Sequence, residues 1–261
     1  MTTPVGIERP VRWLAWCAIV MAALAVAMGV HKAASGYEDR ELPRGLSHPI
    51  FALQLAGSDA EVRLIAGCSN TTERLAQCRD EATLRWQVYL DFPFVAAYTG
   101  FLLACGWVTG ALWPKQRWIA WVGAIAAIVA AAMDLRENFA MLRTLAGSGA
   151  GGVRDAGYEK WVWVCVGACF AALAAFAVVS GRGFWWRLIS VAVAAQILAG
   201  AVVVWSASTS GCDLRLEEGA MRTMSGLAML AVLVLLLVYG RALKLFAFDK
   251  WGARWRRAGW G

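Results

Sequence analysis

The segment Ala131-Ala132-Met133-Asp134-Leu135-Arg136-Glu137-Asn138-Phe139-Ala140-Met141-Leu142 decides how this chain is read. It places two carboxylates, a guanidinium and an amide inside an apolar run that otherwise has the make-up of a membrane span. Charged side chains in hydrocarbon cost several kcal/mol each, so they are rare there and face a bundle interior or a wet cavity. Asp134, Glu137 and Asn138 stand at i, i+3 and i+4 and share one helix face. Arg136 lies two residues from Asp134 and points elsewhere.

The rest of the chain supports a membrane setting. Of its 261 residues, 60% are hydrophobic and 16% charged, against about 45–50% and about 25% in soluble domains. Six runs approach or exceed the roughly 20 residues that cross a bilayer: about Trp13–Val30, Trp86–Trp113, Trp118–Leu142, Trp161–Val179, Trp185–Trp205 and Thr223–Tyr239. The expected fold is all-α: a polytopic membrane bundle of six transmembrane helices, forming a single integral membrane domain over residues 1–261. The first run has the basic start and apolar centre of a signal peptide. However, His31 and Lys32 follow it directly with no small-residue cleavage site, so it is expected to stay as an anchor.

Net charge is +7, and the basic residues cluster beside the spans. Arg9 and Arg12, Lys115 and Arg117, Arg182 and Arg187, and the tail 241–261 fall on one side, which the positive-inside rule makes cytoplasmic. That tail has six basic residues against Asp249, interleaved with Trp251, Trp255 and Trp260, a pattern of the membrane interface. Both termini are therefore expected in the cytoplasm of a bacterial cell, with the chain in the inner membrane. This distribution argues for membrane lipids rather than nucleic acid as partners, and it is compatible with a homo-oligomer.

Residues 31–85 are the one sizeable polar segment, nearly balanced with seven basic and eight acidic residues. They are expected to form an outward-facing, extracytoplasmic helical cap between the first and second spans. Gly36, Pro43, Gly45 and Pro49 mark loop. Ser58-Asp59-Ala60-Glu61 is a capping box before Val62, Leu64 and Ile65, and Gly67 can end that helix. A second helix is expected from Thr71 or Thr72 into the next span. Cys68 and Cys78 lie in this segment, and a disulfide is expected in an oxidising periplasm. The histidines number 2 and no CxxC exists, so no metal and no cofactor is expected. Walker, dinucleotide, HExxH and G-x-S-x-G motifs are absent.

Around the acidic face, Asp91 and Tyr98 of the second span fall at similar depths to Asn138 and Asp134. Glu159 and Lys160 open the fourth span on the same side. The candidate ligand-binding or proton-handling residues are Asp91, Tyr98, Asp134, Arg136, Glu137, Asn138 and Lys160. A purely structural reading pairs Arg136 with Asp91, lets Asn138 bond a carbonyl and has Tyr98 donate to Asp134. Ionising both Asp134 and Glu137 is unfavourable unless a cation or proton lies between them. Since Arg136 points away, relief must come from another helix, from Lys160 or from protonation.

Leu53-Gln-Leu-Ala-Gly-Ser58, Leu90-Asp91-Phe-Pro-Phe94-x-x-Ala97-Tyr98 and Asp134-Leu-Arg-Glu137-Asn138 together resemble a group of uncharacterised bacterial multi-pass integral membrane proteins, over about residues 50–180. That group has an LDFxFxxAY-type second span and a DxxEN third span. The resemblance implies the fold class and no activity. In its intramembrane aspartates the chain is also similar to lysoplasmalogenase-like hydrolases, though it has fewer spans. Alkaline-ceramidase-like hydrolases need a histidine-rich zinc site that it lacks. The leading expectation is binding or transfer of a lipid-like or small amphiphilic ligand in an acidic intramembrane pocket. One alternative is a lipid hydrolase using Asp134 and Glu137 as an acid-base pair; another is a small proton-coupled transporter.

Overall fold

The structure is a computed structural model that describes residues 8–35, 42–46, 48–70, 73–112, 114–150, 152–153, 155–164, 166–167 and 218–219. Every regular element among the described residues is helical. Three helices dominate: α1 (Glu8–Ala34), α4 (Glu81–Leu112) and α5 (Arg117–Leu145). Each is long and apolar enough to cross a membrane, so the coarse reading as a membrane protein holds. The expected fifth and sixth spans and the basic tail lie outside the described residues. The fourth span is described only at its start, where residues 155–164 form α6.

Two short helices, α2 (Pro49–Gln54) and α3 (Asp59–Ile65), occupy the polar segment. Helix α4 packs along both α1 and α5. Small residues set the approach. A Cβ on Gly100 of α4 would lie 2.9 Å from Cys17 Sγ of α1, and one on Gly106 would lie 3.1 Å from the Ala120 carbonyl of α5. A methyl at Gly106 would meet the α5 backbone and push the two helices apart, and one at Gly100 would displace the Cys17 side chain. The large side chains Trp13, Trp16, Ile19, Val26, Trp107, Trp118, Trp121, Ile125 and Ile128 stay exposed. Unpartnered apolar helix faces suit lipid rather than water.

The polar segment builds an apolar core of its own against the helix ends. Leu53, Leu55, Val62, Ile65 and Leu75 pack with Leu84 and Val88 of α4, Met141 and Leu145 of α5, and Val153 and Trp161. Helix α3 is terminated at both ends as the sequence indicates. Ser58 Oγ accepts from the Glu61 N–H at 3.3 Å, and the Glu61 carboxylate accepts from the Gly57 N–H at 2.7 Å. At the other end Gly67 adopts φ +75°. This lets Cys68 N–H reach the Arg63 carbonyl at 3.0 Å and Gly67 N–H the Leu64 carbonyl at 3.1 Å, the paired bonds of a Schellman motif.

The expected helix from Thr71 or Thr72 is corrected. Residues 71–72 lie outside the described residues, a 3-10 turn covers Leu75–Gln77, and α4 starts only at Glu81. The backbone explains the difference: Arg74 and Cys78 are extended, with ψ of 137° and 144°, so no α-helix runs through them. Asn70 Oδ1 accepts from the Glu73 N–H at 2.7 Å, and Ser69 donates from both N–H and Oγ to the Glu73 carboxylate. Those Ser69 donors hold the Glu73 carboxyl below the usual carboxylate range. Asp80 N–H then bonds back to the Ala66 carbonyl at 2.9 Å, bringing the segment's ends together.

The same closure brings Cys68 and Cys78 to bonding distance, with sulfurs 2.00 Å apart. Ten residues of separation make a small loop, worth about 2–3 kcal/mol in the chain-entropy model. Non-reducing peptide mapping should recover the two cysteines as one linked species. Labelling of both by a thiol reagent before reduction would refute the bridge.

Candidate functional site

Helices α4 and α5 are antiparallel, and their register brings two polar stripes face to face. On α5 the i, i+3, i+4 spacing turns Asp134, Glu137 and Asn138 inward, where they are 2%, 0% and 0% exposed. On α4, Asp91 and Tyr98 lie two turns apart on the facing side. Tyr98 Oη donates to Asp134 Oδ2 at 2.9 Å, and Asn138 Nδ2 donates to Asp91 Oδ2 at 2.8 Å. Asp134 lies three residues past the midpoint of α5, about 5 Å along the axis at 1.5 Å per residue. Phe92 and Phe139 close the neighbouring level edge to face, with ring centroids 5.3 Å apart.

The third component comes from α6. Lys160 extends its ammonium between the two α5 carboxylates, with Nζ 3.0 Å from Asp134 Oδ1 and 3.1 Å from Glu137 Oε2. Its side chain is 13% exposed, and Nζ lies 5.9 Å from the Trp161 ring centroid. One cation thus bridges two carboxylates that would otherwise repel one another in a low dielectric.

Arg136 does not join this group. Its Nη1 pairs with Glu159 Oε2 at 2.8 Å, with both side chains about half exposed. The suggested Arg136–Asp91 pair is therefore corrected: the helix turn that buries Asp134 and Glu137 swings Arg136 outward, and Asn138 takes Asp91 instead of a carbonyl. Asp91, Tyr98, Asp134, Glu137, Asn138 and Lys160 converge; Arg136 serves the outer surface.

Three further residues border the cluster without having been singled out from the sequence. Gln54 of α2 is 3% exposed, and its Oε1 has no hydrogen-bond partner among the described residues. Gly157 of α6 presents bare backbone to Glu137; a Cβ there would lie 3.4 Å from Glu137 Oε1 and 3.9 Å from Gln54 Cβ. Trp161 packs edge to face on Phe51 of α2, with centroids 6.3 Å apart. The polar segment therefore borders the charged group through α6. A glutamine between two leucines at 53–55 was the one available signal for Gln54.

The chain matches no protein-family model, no curated protein and no solved structure. Function must therefore be argued from the geometry. The cluster offers a hydroxyl, an ammonium, an amide and three carboxyls within two helical turns of the bundle. These groups can bind a polar head, exchange protons or hold the helices together. A metal role has less to stand on. The described side chains with metal-ligand spacing are Cys68, Glu73 and Cys78, and the two cysteines are bonded to each other.

Proposed function

We propose that the protein binds or transfers a lipid-like or small amphiphilic molecule whose polar end is received by the Asp91–Tyr98–Asp134–Glu137–Asn138–Lys160 group. The observation that carries this reading is the placement of two buried carboxyls, Asp134 and Glu137, with the partly buried Asp91 and Lys160, against helices of membrane-spanning length. Helix packing alone needs far less: interhelical polar contacts contribute about 0.6–2 kcal/mol each, whereas each buried ion costs several kcal/mol to desolvate. An amphiphile matches both the polar core and the apolar outer faces. The likeness to bacterial multi-pass membrane proteins with LDFxFxxAY and DxxEN motifs belongs to the same proposal.

The test is mass spectrometry of lipid that co-purifies with the protein. The wild type should carry a defined amphiphile at near-stoichiometric level, and Asp134→Asn should lose it while eluting unchanged in size-exclusion chromatography. Equal retention by both would remove the reading. A lipid hydrolase using Asp134 and Glu137 has less support, because both carboxylates are clamped by Lys160. Turnover of lysolipids that is lost in Asp134→Asn would establish it instead. Solute movement driven by a pH step across proteoliposomes would favour a proton-coupled transporter.

We further propose six spans in a bacterial inner membrane, with both termini cytoplasmic and residues 31–85 as an outward cap. The short-loop arginines and lysines support this orientation, and the Cys68–Cys78 bridge suits the oxidising side. Reporter fusions after Lys115, Arg182 and Gly261 should read as cytoplasmic, and fusions after Gly149 or Glu218 as external. A periplasmic signal at Gly261 would remove the six-span arrangement.

A further inference from the structure

Charge and hydrogen-bonding capacity at the cluster are unbalanced in the same direction. Asp91, Asp134 and Glu137 present three carboxyls, while among the described residues Lys160 is the one cation in contact with the group, pairing with Asp134 and Glu137 but not Asp91; Arg136 is taken by Glu159 outside. Acceptors are also in excess. Glu137 Oε1, Asn138 Oδ1 and Gln54 Oε1 are buried without hydrogen-bond partners among the described residues, against one such donor at the border, Trp161 Nε1. The orientation of Asn138 follows from its neighbour: Nδ2 donates to the Asp91 carboxylate, which leaves Oδ1 as an acceptor. Gln54 borders this surface: a Cβ built on Gly157 would lie 3.9 Å from Gln54 Cβ and 3.4 Å from Glu137 Oε1. Unsatisfied buried acceptors cost about 1–3 kcal/mol each, so three at one place, beside surplus negative charge, point to a donor-rich cation.

We propose that the site receives the protonated primary amine of an amphiphile, with its N–H groups donated to Glu137 Oε1, Gln54 Oε1 and Asn138 Oδ1. The inference rests on the amphiphile-binding reading above and specifies its head group. An ammonium carries three donors and one positive charge, matching the three free acceptors and reducing the charge excess. The protein already uses this chemistry at the spot, since the ammonium of Lys160 takes Asp134 and Glu137 at 3.0 and 3.1 Å beside the Trp161 ring. An aromatic face of this kind attracts cations further. A bare metal ion fits less well, because no trio of His, Cys, Asp or Glu at the cluster has metal-ligand spacing among the described residues. The depth of Asp134 within α5 requires the amine to be carried on an apolar body.

The full-length protein in phosphatidylcholine nanodiscs provides the test. The probes are a long-chain primary amine, the alcohol of equal chain length, and sodium ion alone. The amine should bind saturably and at least about tenfold tighter than the alcohol, the ratio expected for charge-assisted hydrogen bonds. Glu137→Gln and Gln54→Leu should each lower amine affinity about tenfold, and with it the ratio of amine to alcohol affinity. Gln54→Leu removes no charge, so it decides the matter where Glu137→Gln fails to fold. If amine and alcohol bind equally and saturably, the amine inference falls while the amphiphile reading stands. If neither binds, or sodium alone stabilises the protein through Glu137, both fall.

Discussion

Replacing Lys160 with methionine should destabilise the protein by about 3–5 kcal/mol, the range measured when one partner of a buried ion pair is removed. The reason is geometric. Lys160 Nζ lies within 3.1 Å of both α5 carboxylates, so its loss leaves two buried groups without the cation between them. Methionine keeps the length and apolar stem of lysine, which limits the change in packing. The expected result is aggregation, or a clearly lowered melting midpoint, in detergent size-exclusion chromatography. Lys160→Arg should retain much of the stability, since it restores the charge. Adding Asp134→Asn and Glu137→Gln to Lys160→Met should recover the midpoint, because no uncompensated carboxylate then remains on α5. A Lys160→Met variant as stable as the parent would show that the bridge contributes little.

The parts of this arrangement that the sequence discloses are those governed by local periodicity. Spacing of three and four residues puts Asp134, Glu137 and Asn138 on one face whatever surrounds them, and it turns Arg136 away. Counting rise along antiparallel helices matches Tyr98 with Asp134, and the two are bonded. The capping box at Ser58 and the glycine stop at Gly67 are readable because both are short-range hydrogen-bond patterns. What periodicity lacks is the rotation of one helix against another. It therefore offers Arg136 as the partner of Asp91, whereas the register delivers Asn138.

Lys160 is legible in the sequence as one candidate source of relief for Asp134 and Glu137, and it pairs with both. Its position at the start of an apolar run places it at the outer end of a span, but its side chain reaches inward to the α5 carboxylates. Gln54 and Gly157 are illegible in sequence for a different reason. Their importance arises from α2 folding back onto α6, a contact between residues more than a hundred positions apart, and no local pattern encodes it. The early helix expected at Thr71 fails because Arg74 and Cys78 take extended backbone, even though the Asn70 and Glu73 contacts have the geometry of a helix start.

Asp134→Asn and Glu137→Gln should behave very differently singly and together. Either amide alone leaves Lys160 one charged partner, so each single variant should insert, fold and lose no more than about 1–3 kcal/mol, the cost of a weakened buried hydrogen bond. The double variant leaves the Lys160 ammonium, 13% exposed at its side chain, with neither of its two carboxylate partners. The double loss should then exceed the sum of the singles by about 1–3 kcal/mol, the coupling seen within one buried network. Thermal or denaturant midpoints of the four proteins in detergent close this cycle, and strict additivity would mean that Lys160 does not join the two groups energetically. Ligand retention separates site from scaffold in the same four proteins. Each folded single variant should lose its co-purified amphiphile, because the polar head meets a changed charge balance even where the helices hold. Singles that keep full stability and full ligand content would reduce the cluster to a clamp between α5 and α6.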